Sequence, residues 1–107
     1  MTGTLLVITN LPDAESADRL ARQIIESQAA ACVNRLATCT STYRWNDKIE
    51  TATEVPLLIK TTESVYPRLE KLIRESHPYE LPEIIAVPVH HGLPAYLDWV
   101  ARETRIK

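Results

Sequence analysis

The sequence predicts an α+β fold in a single domain over residues 1–107, with the order β-α-β-β-α-β and an added C-terminal helix. Two observations predict this order. Two amphipathic helical segments separate short runs of β-branched and apolar residues, and two long extended arms meet in the middle of the chain. No repeat, linker or low-complexity segment interrupts the pattern.

The first strand and the first helix follow from residue spacing. Residues 4–9 form a short apolar run that ends at turn residues from Asn10 to Asp13, which is typical of a buried strand. In the next segment apolar residues recur at helical spacing and charged residues fill the opposite face, which predicts an amphipathic helix. Those apolar residues are Ala17, Leu20, Ala21, Ile24 and Ile25.

The middle of the chain predicts a long β-hairpin. Residues 31–45 and 48–61 form its two arms, and Asn46-Asp47 supplies a two-residue turn. Both arms are more than twice the mean strand length of about 5 to 6 residues, so the hairpin should project beyond the body of one subunit. Tyr43 and Trp45 share a face of the projecting arm and would lie bare in a monomer.

The second half repeats the pattern of helix and strand. A second amphipathic helix has Ser64 as its predicted N-cap and ends at His77-Pro78. Its inward residues are Val65, Leu69, Leu72 and Ile73. Residues 83–89 predict a further strand and residues 94–104 a short helix. This is the ferredoxin-like arrangement.

The sheet strands themselves predict self-association. Residues 5–8, 57–59 and 84–87 are apolar on both sides of the strand, although the two main helices cover only one sheet face. The other face should therefore meet another subunit. Pro56 lies within one of these strands, and its missing N–H predicts an edge or a bulge rather than a central position.

Composition excludes several classes of function. The 12 basic and 14 acidic residues form no run that could track a phosphate backbone, so nucleic acid is not an expected partner. The sequence shows no membrane span and no signal-type N-terminus, so we expect a cytoplasmic protein without membrane contact. The common catalytic motifs are missing, which favours a protein that is not an enzyme. A hydrolase or transferase site assembled in space stays open as an alternative.

The two cysteines are expected to be free. Cys32 and Cys39 lie on one predicted extended arm, which would hold them roughly 23 Å apart. A disulfide needs its Cα atoms within about 7 Å. We therefore expect free, mostly buried thiols with no metal or redox role.

Five segments together resemble the CutA divalent-cation-tolerance proteins. The resemblance implies a ferredoxin-like homotrimer, similar in architecture to the PII signal-transduction regulators, with a role in tolerance of copper and other divalent metals. It implies a divalent metal ion as the one candidate cofactor. The segments are residues 30–34 (AACVN), 43–45 (YRW), 58–61 (LIKT), 77–83 (HPYELPE) and 96–99 (YLDW).

The metal site that the resemblance implies is incomplete. Copper-binding relatives carry a cysteine near the end of the first strand and a doubled histidine before Pro-Tyr, whereas this chain has Thr9 and Ser76 there. His77 and Glu54 remain as candidate metal ligands, and two ligands predict only weak binding. The alternative is that His77 caps the helix and bonds local backbone or Tyr79.

A second candidate site is a cleft between subunits. Its predicted lining is Tyr43, Trp45, Lys60, Tyr79 and Glu83. Packing of the aromatic rings at an interface, and solvation of the charged residues at strand ends, are the alternative readings. Two other functions stay open: a PII-like trimer that senses a small molecule at the clefts between subunits, and a structural trimer that scaffolds other proteins.

Overall fold

One antiparallel sheet organises the computed structural model, which describes residues 3–105. The strands are β1 Thr4–Leu11, β2 Cys32–Arg35, β3 Cys39–Trp45, β4 Lys48–Thr62 and β5 Ile85–Pro88. The helices are α1 Ala14–Glu26, α2 Tyr66–Ser76 and α3 Pro94–Glu103. The sheet order is β2-β4-β1-β5, and β3 pairs with the first half of β4. This confirms the predicted ferredoxin-like α+β fold.

The main core lies between the sheet and the helices α1 and α2. Successive strand residues point to opposite faces, so Val7 of β1 and Leu57 and Ile59 of β4 all point to the helices and are fully buried. Leu69 and Ile73 of α2 close over them. Burial of each such side chain stabilises the fold by roughly 1.5 to 3 kcal/mol.

Pro56 lies in a central strand, so the predicted edge position is wrong, but the predicted bulge has a counterpart, since residues 36–38 of the partner segment lie opposite only residues 55 and 56. Pro56 pairs with Asn10 of β1, and its carbonyl accepts the N–H of Leu36 on the other side at 3.0 Å. The nitrogen of a strand residue points to the same side as its carbonyl, so the missing N–H of Pro56 faces the break between β2 and β3. The proline is tolerated there because the segment between β2 and β3 is not paired with β4 in the hydrogen-bond ladder.

That break also corrects the first arm of the hairpin. The predicted single strand over residues 31–45 is two strands, because residues 36–38 leave the ladder between Arg35 and Cys39. Both thiols are free, as expected. Cys32 is half-buried, but Cys39 is exposed, so its predicted burial is wrong. Cys39 begins the part of the hairpin that α1 and α2 do not cover.

The helix ends follow local chemistry. Asp13 caps α1, where its carboxylate accepts the N–H of Ser16 at 2.7 Å, and these hydrogen bonds lower the pKa of Asp13. The predicted cap at Ser64 is wrong, because α2 starts one residue later, after Val65, which makes no side-chain capping bond. The end of α2 at His77 is confirmed.

The hairpin tip has the predicted two-residue turn. Asn46 and Asp47 have φ values of 50° and 64°, the left-handed geometry that such a turn needs. Tyr43 pairs with Glu50, and Trp45 pairs with Lys48, so both rings lie on one face. Their exposed fractions are 44% and 42%. Two large aromatic side chains are therefore accessible in the single chain.

The second sheet face is only partly covered. Helix α3 contacts β4 and β1 at one end of that face, where Thr62 and Val100 are buried. Away from α3, Ile85 and Val87 of β5 are 50% and 46% exposed. We call this uncovered surface, with Leu6, Ile8 and Leu58 beside it, the open sheet face.

Arg68 of α2 joins three segments of the fold. Its guanidinium donates to the carbonyls of Ser27 at 2.9 Å and Gln28 at 3.2 Å, and also to that of Arg105. Arg68→Met should lower the free energy of unfolding by about 1.5 to 3 kcal/mol, the value of hydrogen bonds to a charged group. Urea unfolding measures this, with exposed Arg74→Met on the same helix as the control. Equal losses in both variants would contradict the role of Arg68.

Candidate functional site

Two backbone hydrogen bonds hold the imidazole of His77. Its Nε2 lies 2.7 Å from the carbonyl oxygen of Asn10, and its Nδ1 lies 3.1 Å from the backbone nitrogen of Tyr79. A carbonyl can only accept and an N–H can only donate, so Nε2 carries the proton and Nδ1 is the acceptor. The neutral ring, only 9% exposed, thereby joins the end of α2 to the end of β1.

The surroundings of His77 favour this neutral form. Burial lowers the pKa of His77, against the smaller opposing effects of the Asn10 carbonyl and the Glu54 carboxylate. Protonation would place a hydrogen on Nδ1, directly facing the N–H of Tyr79. The charged ring therefore loses one of the two bonds that hold it.

Tyr79 extends from this ring to the sheet. Its ring centroid lies 4.8 Å from that of His77, and its hydroxyl donates to Oε2 of Glu54 at 2.9 Å. Burial, followed by the bond to Glu54, raises the pKa of Tyr79 to about 12. The phenol therefore stays protonated and serves as the donor, while Glu54 is 9% exposed at the base of the hairpin.

Tyr79 and Glu54 border a groove of about 1000 Å³ between the hairpin and residues 78–85. It contains four of the five residues that the sequence predicted for a cleft, together with Glu54. Asn10 also lines the groove, and its side-chain amide donates to Oε1 of Glu83 at 3.1 Å. The predicted members are Tyr43, Trp45, Tyr79 and Glu83.

Lys60, the fifth predicted residue, does not line this groove. It lies nearer the C-terminal end of β4, where its ammonium donates to the side-chain carbonyl of Asn34. Trp99 also lies elsewhere and packs against Tyr96 with ring centroids 5.6 Å apart. His90 and His91 are exposed in the loop after β5.

Sequence reasoning missed the part played by Asn10. Its carbonyl holds His77 and its side chain holds Glu83, so one residue fixes both ends of the loop that borders the groove. The signal was available in the strand alternation, which places Asn10 on the same sheet face as Ile8. Asn10 was instead assigned to the turn after the first strand, because asparagine is common in turns.

The donor set within one chain does not fit the copper site that the resemblance implies. Both ring nitrogens of His77 are engaged by backbone groups, and Thr9 is fully buried with a hydroxyl that has no hydrogen-bond partner. Within residues 3–105, no three His, Cys, Asp or Glu side chains are arranged to hold a metal ion. A metal on His77 and Glu54, which stays a prediction, would have to displace the N–H of Tyr79.

Fold and groove together define a class of protein. The chain is a small ferredoxin-like α+β domain with a projecting hairpin, an open sheet face and a groove where the hairpin meets the loop after α2. Residues 5–103 match the family model described as "CutA1 divalent ion tolerance protein". The chain therefore belongs to the CutA1 divalent ion tolerance family.

Individual relatives agree with this assignment. The Divalent-cation tolerance protein CutA of Thermus thermophilus is 38% identical over 92% of this chain and 96% of its own length. The CutA1 crystal structure from Oryza sativa superposes with a TM-score of 0.95 at 37% identity, covering 98% of this chain and 96% of that one. The CutA structure from Xylella fastidiosa gives 0.93 at 42%, covering 96% and 99%.

Some relatives are longer than this chain. Protein CutA of Mus musculus is 45% identical over 87% of this chain, but the match spans only 52% of the mouse protein. Other relatives of similar identity are matched over 58% and 59% of their length. The shared region is the ferredoxin-like domain itself.

The hydrogen bonds of His77 predict a stability that depends on pH. Because its folded pKa lies below the ordinary value of 6.5, the stability it contributes is complete above that pH and is lost as the pH falls through the folded pKa. The melting temperature should fall between pH 7 and pH 5, and fall less in His77→Gln, which does not titrate. Exposed His90→Gln should retain the full fall. An identical pH dependence in His77→Gln and the wild type would contradict the assignment.

Proposed function

We propose that the protein acts in divalent cation tolerance as a homotrimer that binds copper weakly, or responds to metal through a partner, without catalysis. Membership of the CutA1 family supports the role in tolerance. The half-exposed open sheet face is the observation that supports assembly. The donor set around His77 supports weak rather than tight binding.

The geometry of the sheet favours a closed ring of subunits. β5 forms one edge and β2 with β3 forms the other, and exposed edge strands invite pairing with another chain. Contacts between two different edges are head-to-tail, and such contacts generate rings when the rotation closes. The apolar side chains of the open sheet face, including Ile85 and Val87, would then be buried. That the ring has three subunits is an expectation from the family resemblance.

The assembly can be tested directly by native mass spectrometry. We expect a mass about three times that of the 12.1 kDa chain. Val87→Asp should shift the protein to the monomer, because a carboxylate would be buried against a neighbouring apolar face. The exposed α1 variant Gln23→Asp is the matched control and should stay trimeric. A wild-type monomer at micromolar concentration would overturn the trimer.

The copper prediction follows from the donors of His77 and Glu54. We expect a dissociation constant weaker than about 1 μM, because two ligands leave the remaining positions to water. His77→Ala should abolish the specific binding. Isothermal titration with copper(II), run against zinc and with a chelating competitor, measures both. Nanomolar affinity that persists in His77→Ala would show that the site lies elsewhere.

The cytoplasm stays our predicted location. No helix within residues 3–105 has the length and apolar character needed to cross a membrane. The printed names of relatives include a chloroplastic protein from Oryza sativa and a periplasmic one from Archaeoglobus fulgidus. Location therefore differs among relatives, and for this chain it rests on the sequence alone.

A second function, the sensing of a small molecule as in PII regulators, is favoured by the groove. A volume of about 1000 Å³ with a buried carboxylate and three aromatic rings is the form of a ligand site. A thermal-shift screen with metals, nucleotides and small ions would separate this function from metal response. Stabilisation by a non-metal ligand alone would favour sensing.

A further inference from the structure

We propose that the groove binds an organic cation, a molecule that carries a primary ammonium or guanidinium group on a short carbon stem. This inference deepens the second function, and it rests on the groove being a ligand site. It goes beyond divalent metal because it concerns a different chemical class of ligand, although Glu54 is also one of the two candidate metal ligands. Charge, burial and aromatic lining each support it.

The charges that line the groove are of one sign. Glu54, Glu80 and Glu83 contribute carboxylates, and none of the described lining residues is a lysine, arginine or histidine. A cleft lined by one sign of charge raises the local concentration of ions of the opposite sign. The groove therefore attracts cations and repels nucleotides and carboxylic acids.

Within this negatively charged groove, Glu54 is the carboxylate that a cation would bind. It is only 9% exposed, and Oε2 accepts a hydrogen bond from the neutral hydroxyl of Tyr79. The ion pairs observed in residues 3–105 are Arg19–Glu15, Arg22–Glu26 and Arg35–Asp18, so Glu54 has no cationic side chain beside it. Burial of a carboxylate is costly unless a positive charge compensates it.

Aromatic rings supply the second half of the recognition. Tyr43 and Trp45 lie on the hairpin wall and Tyr79 on the opposite side, so a cation on Glu54 would lie among π faces. Such contacts contribute roughly 0.5 to 2 kcal/mol each. Leu81 offers apolar surface for a carbon stem. The two glycines, Gly3 and Gly92, lie outside the groove, so it has no glycine-rich loop to bind phosphate.

The same lining disfavours a bare metal ion. Glu54 is held by Tyr79 and Glu83 by Asn10, so one oxygen of each carboxylate is already engaged. Calcium takes about six to eight oxygen ligands and magnesium about six. The described residues contain no group of three His, Cys, Asp or Glu side chains that could hold a metal ion. An organic cation needs only one carboxylate and an aromatic wall.

The cation has two possible sources, a free amine in solution or a basic side chain of a neighbouring copy. The chemistry at Glu54 is the same in both, and we assign the site to the free amine. The experiment distinguishes the two sources.

The test is isothermal titration of the full chain with agmatine, which carries both an ammonium and a guanidinium group. We expect saturable binding at one site per chain. Glu54→Gln should weaken it at least about thirtyfold, since removal of one partner of a buried charge pair costs 2 kcal/mol or more. Trp45→Ala, at an exposed position, should weaken it without a loss of folding. Exposed Glu75→Gln, on α2 and outside the groove, is the matched charge control and should bind as the wild type does.

Other outcomes would overturn the proposal in distinguishable ways. Binding of ATP or glutarate in place of agmatine would refute the cationic class and leave sensing intact. Absence of binding by all three would refute the sensing function as well. If agmatine fails to bind and Glu54→Gln lowers the oligomer mass in native mass spectrometry, the cation belongs to a neighbouring chain. Equal binding by Glu54→Gln and the wild type would place the site elsewhere.

Discussion

The imidazole of His77 is the interaction on which the rest of the site depends. Through Asn10 and Tyr79 it connects the end of β1, the end of α2 and the loop that follows. That loop forms one side of the groove and brings Tyr79 onto Glu54. Helix packing alone does not fix these residues, because the loop leaves α2 in an extended direction at Pro78.

The two backbone hydrogen bonds of His77 explain why it is a poor metal ligand, although the chain belongs to a divalent ion tolerance family. A ring nitrogen that donates to a carbonyl has no lone pair for copper, and the other nitrogen already accepts an N–H. Thr9, a buried residue of the neighbouring strand, offers only a hydroxyl, which is a poor ligand for copper. The two observations agree: His77 has a structural role in the fold, and without a thiolate beside it the chain lacks a strong copper ligand.

Periodicity predicted the parts of the fold that depend on burial, and missed those that depend on neighbouring strands. The helical spacing of Leu69 and Ile73, and the turn at Asn46, came directly from local pattern. Pro56 could not be placed, because its tolerance depends on a break in the partner strand. In the candidate site, Tyr43 and Tyr79 line the groove of the single chain, whereas Lys60 lies elsewhere along β4, and its place in a cleft between subunits stays a prediction.

The central claim, that backbone groups occupy both ring nitrogens of His77, can be measured by NMR of histidine labelled with ¹⁵N. At neutral pH the account predicts that His77 is a single neutral tautomer, with a protonated Nε2 and an unprotonated Nδ1. His90 and His91, which are exposed, provide the internal comparison. A protonated Nδ1, or an Nε2 without a proton, would contradict the account.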